Sequence, residues 1–147
     1  MRYLLDSNIL LRLARRSDPL RPPVRSALRT LRRRGDELCY TPQNLVEFWS
    51  VSTRPAAARG GLGLTPTETD RRLRLLVERF FTRLPDGPAV HAEWRRLVVA
   101  HAVSGVQVHD ARLVAAMQAH GVTHLLTLNT GDFARYPGIT AVHPQAV

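Results

Sequence analysis

Three carboxylates in this sequence stand inside apolar segments, where an ionised side chain needs a compensating charge. Asp6 interrupts the run YLLDSNILL, Glu47 lies within LVEFW, and Asp110 lies within VHDARLVAAM. Burying an unpaired carboxylate costs several kcal/mol or shifts its pKa until the group is neutral. Three such residues in one small chain therefore predict a shared compensating charge.

The predicted secondary structure brings these acids to one place. Asp6 follows a short buried strand at 2–5, and Glu47 lies in the helix that follows the second strand. Asp110 begins the helix that leads to a strand at 124–128. The carboxyl ends of parallel strands meet at one edge of a sheet, where ligands bind in open α/β folds. Further polar groups at this edge are Thr127, Asn129 and Asp132.

This set of side chains favours a hard metal ion. Oxygen ligands without cysteine or a histidine pair suit Mg²⁺ or Mn²⁺ better than zinc, and His109 is expected to be only a neighbour. Such a centre beside a basic surface predicts phosphodiester hydrolysis, because the ion activates water and offsets charge in the transition state. The candidate ligands are Asp6, Glu47, Asp110, Asn129 and Asp132.

Each acid also has a purely structural interpretation. Residues 6–8 could only cap the helix that follows, and Asp110 could be favoured by the dipole of its own helix. Glu47 could pair with Arg112, and Asp132 could be a turn residue. The predicted convergence of all four acids at one sheet edge favours function over these alternatives.

Strands alternate with helices along the chain, which is typical of a parallel sheet covered by helices on both faces. We predict a three-layer α/β/α fold with four to five parallel strands, in a single domain over residues 1–147. Residues 53–66 form the one long stretch rich in Pro and Gly, which predicts a mobile loop or flap. The predicted strands lie near 2–5, 38–40, 82–84, 124–128 and 139–142, and the helices near 8–15, 22–34, 42–51, 67–81, 90–104 and 108–120.

The composition is that of an ordinary globular protein of 147 residues, 44% of them hydrophobic. No apolar run approaches the ~20 residues that a membrane span needs, and the first residues lack the order of a signal peptide. The single Cys39 can form neither an intrachain disulfide nor a cysteine metal site, and we expect it to pack as a small hydrophobe. These features predict a cytoplasmic protein.

All 21 basic residues are arginine, and they are unevenly distributed. Residues 1–35 hold ten arginines against two acids, whereas residues 36–147 hold eleven arginines against ten acids. Because arginine binds phosphate bidentately, a concentrated basic segment predicts a nucleic-acid partner; an acidic partner protein and a solvated face are the alternatives. The candidate binding residues are Arg12, Arg15, Arg16, Arg32, Arg33 and Arg34.

Four segments together resemble the motifs of PIN domains, and most closely those of the VapC toxins of bacterial toxin–antitoxin pairs. The resemblance spans almost the whole chain. It implies a three-layer α/β/α fold, a ribonuclease dependent on Mg²⁺ or Mn²⁺, a homodimer, and inhibition by a small VapB-type antitoxin. The four segments are Leu5-Asp6-Ser7-Asn8, Glu47 in a helix after a strand, His109-Asp110-Ala111, and Leu126 to Phe133.

The same resemblance implies a role for each candidate residue. Asp6 and Asp110 would bind the metal directly, and Glu47 would hold or activate water. Asp132 would complete the acidic quartet, and Thr127 would steady a ligand or a phosphate. The supporting groups are Ser7 and Asn8. The candidate dimer surfaces are Phe48, Trp49 and the helix at 68–81.

One position departs from the PIN pattern, because Asn129 stands where many PIN domains carry an acid. Its neutral oxygen favours a one-metal enzyme, or a second ion recruited only with RNA, unless Asp132 reaches the site. Two other functions stay open. A Mg²⁺-dependent phosphohydrolase could use Asp6 as its nucleophile, although Asn8 stands where a proton-donating acid is expected and the chain has no lysine. A non-catalytic RNA- or partner-binding module could keep the same fold.

Overall fold

The computed structural model describes residues 1–147 and contains one sheet of five strands. The strands are β1 (Arg2–Leu5), β2 (Glu37–Tyr40), β3 (Thr82–Arg83), β4 (His124–Leu126) and β5 (Thr140–Val142). The α-helices are α1 (Ser7–Ala14), α2 (Arg21–Arg33), α3 (Pro42–Thr53), α4 (Pro66–Leu73), α5 (Pro88–Ala100) and α6 (Val108–Ala119). The strands are ordered β3-β2-β1-β4-β5, and every neighbouring pair is parallel.

Helices cover both faces of the sheet, and the strand side chains divide between two cores. On β1, Leu4 packs in the core built with α5 and α6, whereas Tyr3 and Leu5 pack in the core built with α1 to α4. Successive side chains of a strand point to opposite faces, which explains this division. Cys39 is fully buried in the first core, among apolar side chains. The three-layer α/β/α fold predicted from the sequence is therefore confirmed.

The central strand β1 marks the point where the chain changes direction across the sheet. The strands β2 and β3 extend the sheet on one side of β1, and β4 and β5 extend it on the other. In open α/β sheets, ligands bind outside the carboxyl ends of the strands at such a switch point. The backbone N–H of Asp6 donates to the carbonyl oxygen of Leu126 at 3.0 Å, so the ends of β1 and β4 lie side by side.

Two helix ends differ from the sequence prediction. The helix predicted to reach residue 81 is α4, which ends at Leu73 and continues only as a π-helical turn over Arg74–Glu78. The helix predicted to reach residue 104 is α5, which ends at Ala100 because Ala102 adopts a left-handed φ of 47°. None of the helices combines the length and the apolar composition needed to traverse a bilayer.

Residues 54–64 form a loop whose backbone is bound to the end of α3. The N–H groups of Leu62 and Leu64 donate to carbonyl oxygens of α3 at 3.2 Å and 2.9 Å. A Cβ atom on Gly61 would collide with the carbonyl oxygen of Pro55, so glycine is required at this close approach. The predicted loop is present in a hydrogen-bonded conformation anchored on α3, and its mobility stays a prediction.

One residue predicted to lie on a dimer surface is inside the protein. The side chain of Phe48 is fully buried in the core formed with α1 to α4, whereas its neighbour Trp49 is only partly buried. The helix α3 carries apolar residues around most of its circumference, and the side chain of Val46 is the one that is 70% exposed. The assignment of Phe48 to a surface was therefore wrong.

Candidate active site

The carboxylate of Asp6 lies at the end of β1 and is held by two side chains. The hydroxyl of Thr127, just after β4, donates to Asp6 Oδ2 at 2.7 Å, and Nδ2 of Asn8 donates to the same oxygen at 2.7 Å. Both donors use Oδ2, which leaves Oδ1 without a side-chain donor. Asp6 occupies the N-cap position of α1 but makes no capping hydrogen bond through its side chain. The backbone N–H groups of Ser7 and Asn8 at the start of α1 still act to lower the pKa of this carboxylate, so helix capping explains it only in part.

The two residues that hold Asp6 are fixed by the backbone after β4. The side-chain oxygen of Asn8 accepts from the N–H of Leu128 at 3.3 Å, and the hydroxyl oxygen of Thr127 accepts from the N–H of Asn129 at 3.0 Å. Thr127 is fully buried, whereas the side chain of Asn129 is exposed. Asn129 thus supports the site through its backbone, and the geometry gives its side chain no fixed partner.

The carboxylate of Glu47 is fixed at both oxygens. The hydroxyl of Ser7 donates to Oε2 through a short hydrogen bond, and Nε2 of Gln43 donates to Oε1 at 2.8 Å. Ser7 in turn accepts from Nδ2 of Asn44 at 3.1 Å. Asn44 also forms a capping box with Thr41 at the start of α3, so the cap of this helix and the orientation of Glu47 are coupled.

A second set of polar contacts links Glu47 to the helix that carries Asp110. The side chain of Gln43 donates to the backbone carbonyl of His109 at 2.8 Å and accepts from Nη1 of Arg112 at 3.0 Å. Arg112 completes the chain with a salt bridge to Asp86 at 2.9 Å. The alternative pairing of Glu47 with Arg112 is therefore not formed, because Arg112 contacts Gln43 and Asp86 instead.

The acids influence one another electrostatically across the sheet edge. Burial, followed by the negative charges of Asp6, Asp132 and Glu47, raises the pKa of Asp110 to about 6. Burial also raises the pKa of Asp6; the hydrogen bond from Thr127 opposes this shift, and the charge of Glu47 adds to it. The four acids predicted to converge therefore lie within one electrostatic environment.

None of these four acids is neutralised by a basic side chain. Every salt bridge in the structure uses a different acid: Asp36, Glu37, Asp18, Asp70, Glu93 or Asp86. No three His, Cys, Asp or Glu side chains are gathered tightly enough to form a ready-made metal cage. The chemistry of the donors still fits a divalent cation, because several hard oxygens share a partly buried, negatively charged place.

The arginines singled out in the sequence are distributed over several adjoining cavities. Arg12 and Arg15 line a cavity of about 450 Å³ with Asn8, which we call the basic cavity. Arg32 lines a groove between α2 and Phe80–Phe81, which we call the arginine groove. Arg16 lies between the two, because it lines one smaller cavity with Arg15 and another with Arg25 and Arg29, which also line the arginine groove. Arg33 and Arg34 are exposed and line neither of the two.

Sequence reasoning missed several residues that shape this site. Gln43 and Asn44 orient Glu47 and Ser7, and Arg54 and Arg59 line the basic cavity. The spacing of Gln43 and Glu47, one helical turn apart, is a signal that could have identified the first of these. Nothing in the sequence indicates that the loop after α3 returns beside α1.

The family model described as PIN domain matches residues 3–139. No curated protein matches the chain significantly.

Several solved structures share the fold. VapBC2 from Rickettsia felis, bound to a DNA fragment from its promoter, has a TM-score of 0.74 and 14% identity, covering 97% of this chain and 98% of that chain. A toxin–antitoxin complex from Klebsiella pneumoniae has a TM-score of 0.67 and 21% identity, covering 99% of both chains. The sarcin–ricin loop cleaving toxin VapC20 from Mycobacterium tuberculosis has a TM-score of 0.60 and 12% identity, covering 84% and 86%. At these identities the likeness establishes the fold.

Proposed function

The chain belongs to the PIN domain family, and on that premise we propose that it is a divalent-metal-dependent endoribonuclease, the toxin of a toxin–antitoxin pair. One observation carries the proposal: the half-buried Asp110 feels the charges of Asp6, Glu47 and the exposed Asp132, and none of these four acids has a basic partner. Carboxylates that only stabilise a fold are normally paired when they are buried. Acids left unpaired in a protein with 21 arginines are suited to bind a cation.

In this proposal Asp6 and Asp110 bind the cation directly. Asp132 and the side chain of Asn129 supply further oxygen atoms to the metal site. A bound Mg²⁺ or Mn²⁺ supplies an acidified water and offsets negative charge on the phosphodiester in the transition state. Ser7 and Gln43 fix the orientation of the Glu47 carboxylate, which would orient the attacking water and accept its proton through a remaining lone pair. Asn8 and Thr127 are positioning residues that hold Asp6.

RNA is the substrate class that the charge and the relatives support best. The chain carries a formal net charge of +9, and two arginine-lined cavities lie on its surface. Among the structures that share the fold, VapC20 is described as a toxin that cleaves the sarcin–ricin loop. We propose RNA cleavage for this chain too, by a single PIN-like domain over residues 1–147 that acts in the cytoplasm.

An RNA cleavage assay tests this function directly. The purified protein should cleave RNA with Mn²⁺ and should lose this activity in EDTA. Asp6→Asn and Asp110→Asn should each reduce cleavage at least about 100-fold, since each removes a charge that would balance the ion. Asp70→Asn is the matched control, because Asp70 is an exposed acid that pairs only with Arg74. Unchanged cleavage in either site variant would contradict the assignment.

A phosphomonoester assay run alongside separates the alternatives. Phosphomonoester hydrolysis without RNA cleavage would indicate a phosphohydrolase with Asp6 as its nucleophile. If the protein binds RNA but shows no cleavage that is sensitive to EDTA, it is a non-catalytic module. The contacts of Asn8 argue against the phosphohydrolase, because its amide holds Asp6 and cannot donate a proton as an acid would.

We also propose that a small VapB-type antitoxin inhibits the protein and that the protein forms a homodimer. The structures from R. felis and K. pneumoniae are described as VapBC2 and as a toxin–antitoxin complex. The arginine groove fits an amphipathic acidic segment, because Leu28, Leu76 and Phe81 form apolar parts of its wall and Arg25 and Arg32 supply charge.

Charge reversal in the arginine groove tests this partner. Arg32→Glu, alone and with Arg33→Glu and Arg34→Glu, should weaken binding of the small protein encoded by an adjacent reading frame. Co-purification and titration calorimetry measure the effect, with Arg95→Glu on the exposed side of α5 as the control. Binding that is unchanged in the triple variant would indicate a solvated face.

A further inference from the structure

The basic cavity is built from two parts of the chain that are distant in sequence. Arg12 and Arg15 come from α1 and the residue after it, and Arg54 and Arg59 come from the loop after α3. Asp18 is the one acid in its wall, and its charge is matched by Arg12 at 2.7 Å. Three further arginines therefore face a cavity of about 450 Å³ without an acidic partner.

Arg12 is held in place and retains an unused donor. Its Nη1 donates to Oδ2 of Asp18, whose other oxygen accepts from the backbone N–H of Leu20 at 2.9 Å. The Nε of Arg12 is buried and makes no hydrogen bond in the protein. A buried donor without an acceptor is unfavourable, and the side chain of Arg12 is still 37% exposed, so an anion in the cavity can approach this part of the guanidinium. An anion with two acceptor oxygens would match this free edge of the guanidinium.

The loop after α3 supplies the opposite wall of the cavity in a defined shape. Nη1 of Arg54 donates to the backbone carbonyl of Arg59 at 2.8 Å, which closes the loop on itself. The Gly63 N–H donates to the Arg54 carbonyl at 2.8 Å, and Gly61 approaches Pro55 too closely for any larger residue. The two arginines are therefore brought to the cavity by a folded loop.

Asn8 connects this cavity to the proposed catalytic centre. The residue lines the basic cavity, and its Nδ2 donates to Asp6 at 2.7 Å. We propose that the basic cavity binds a backbone phosphate of single-stranded RNA that neighbours the scissile phosphate, with Arg12, Arg15, Arg54 and Arg59 as its ligands. This inference rests on the proposed ribonuclease function and adds a substrate-binding site to it.

The character of the cavity favours a phosphate over an acidic protein segment. An amphipathic peptide needs apolar wall for its side chains, which the arginine groove offers through Phe80 and Phe81. The basic cavity has less apolar wall, from three of its ten lining residues (Leu11, Val51 and Leu62) against five of nine in the arginine groove. It presents guanidinium groups and the Asn8 amide beside the reaction site. Phosphate oxygens accept two hydrogen bonds from one guanidinium group, and phosphates repeat along an RNA strand. Binding of one phosphate in the cavity would therefore fix the position of the neighbouring scissile phosphate at the reaction site.

The test is equilibrium binding of a labelled oligouridylate in EDTA, where metal-dependent cleavage is blocked. Arg54→Gln and Arg59→Gln should each raise the Kd about three- to tenfold. Each should also make the slope of log K against log salt shallower, by at most about 0.7, the value for complete loss of one phosphate contact with a single strand. Arg95→Gln is the control, because Arg95 is an exposed arginine outside both cavities. An Arg59→Gln variant with the Kd and slope of Arg95→Gln would overturn the proposal.

A second measurement keeps this proposal separate from the proposed function. With RNA and Mn²⁺, Arg59→Gln should raise KM and leave kcat within about twofold, because the residue binds a phosphate away from the reacting atoms. If the native protein cleaves RNA but Arg59→Gln changes neither KM nor oligouridylate binding, only the cavity proposal fails. If the native protein binds oligouridylate through Arg59 but never cleaves RNA, only the nuclease function fails.

Gly61→Ala tests the loop without changing any charge. A Cβ at this position would displace the loop from Pro55, so the variant should weaken oligouridylate binding as Arg59→Gln does. Gly87→Ala is the matched control, because a Cβ there meets nothing within 4 Å. Normal binding by Gly61→Ala would overturn the role of the loop. The contrary outcome is that Arg59→Gln weakens the binding of poly-glutamate and leaves the binding of oligouridylate unchanged. That result would overturn the RNA proposal and identify an acidic protein segment as the ligand of the basic cavity.

Discussion

Asp6 lies just before α1 and Asp18 lies between α1 and α2. Their carboxylates have opposite electrostatic environments. The side chain of Asp18 is 2% exposed, yet its pKa is lowered. Burial opposes this shift, but hydrogen bonds from Arg12 and Leu20 and the charges of Arg12 and Arg15 outweigh it. The pKa of Asp6 is raised, because burial and the charge of Glu47 outweigh the hydrogen bond from Thr127. One acid is neutralised by the fold and the other is not.

The difference separates acids whose charge is balanced within the protein from acids whose charge is left unbalanced. Asp18 orders the turn between α1 and α2 and fixes Arg12, so its charge is balanced inside the chain. The acids at the sheet edge repel one another, which is unfavourable for folding by itself. A cation would remove that repulsion. The proposed metal-dependent function thus predicts that the two kinds of acid respond oppositely to the same experiments.

The largest difference is expected from added metal. A ligand that binds only the folded state at 100 times its Kd stabilises that state by about 2.7 kcal/mol. Mn²⁺ should therefore raise the Tm of the native protein and of Asp18→Asn, and it should have little effect on Asp110→Asn. Differential scanning calorimetry with Mn²⁺ and with EDTA measures this. An equal rise in all three proteins would mean that Mn²⁺ binds elsewhere.

The same substitution should have opposite effects on stability at the two kinds of site. In EDTA at neutral pH, Asp18→Asn should lower the free energy of unfolding by about 1–3 kcal/mol, because it breaks a buried hydrogen-bonded ion pair. Asp6→Asn and Asp110→Asn should raise the Tm by about 2–4 °C, because each removes a repelled charge. Urea and thermal unfolding provide both values. Equal destabilisation by Asp6→Asn and Asp18→Asn would assign Asp6 a structural role.

A pH series separates the two environments further. Asp110 has a pKa of about 6 in the folded protein against an ordinary value of 3.8. Because the folded value is the higher one, its stabilising contribution is full below about pH 4 and is lost as the pH rises through about 6. In EDTA, the Tm of the native protein should fall relative to that of Asp110→Asn across this window. Asp18, with a lowered pKa, loses its contribution only as the pH falls below its ordinary value, so it does not mask the effect.

The sequence allowed the outline of the site to be predicted because strand ends have fixed positions in a parallel sheet. Asp6 follows β1 and Thr127 follows β4, and pairing of these strands places their side chains in contact. The same reasoning predicted the placement of Glu47 and Asp110 at this edge. These predictions needed only the order of the elements and the direction of the strands.

The remaining features depend on contacts that no local pattern encodes. The side-chain oxygen of Gln43 accepts a hydrogen bond from Arg112, which is 69 residues away in the chain. The basic cavity joins Arg12 to Arg59 only because the loop after α3 folds back against α1. Hydrophobicity alone likewise could not tell that Phe48 is buried while Val46 is exposed on the same helix. Such details require the packing of elements against each other.

The smallest predicted effect concerns Asn129, which has an exposed neutral side chain and follows Thr127 two residues later in the chain. Asn129→Ala should reduce RNA cleavage by only about three- to tenfold, since the side chain is exposed and the backbone N–H that donates to Thr127 is retained. Asn129→Asp should increase the Mn²⁺-dependent rise in Tm, because it adds a charge to balance the ion. Single-turnover cleavage, with Asp110→Ala for comparison, measures the ranking. An equal loss in Asn129→Ala and Asp110→Ala would make the neutral oxygen of Asn129 as important to the ion as a carboxylate, and the contrast between paired and unpaired acids would then no longer identify its ligands.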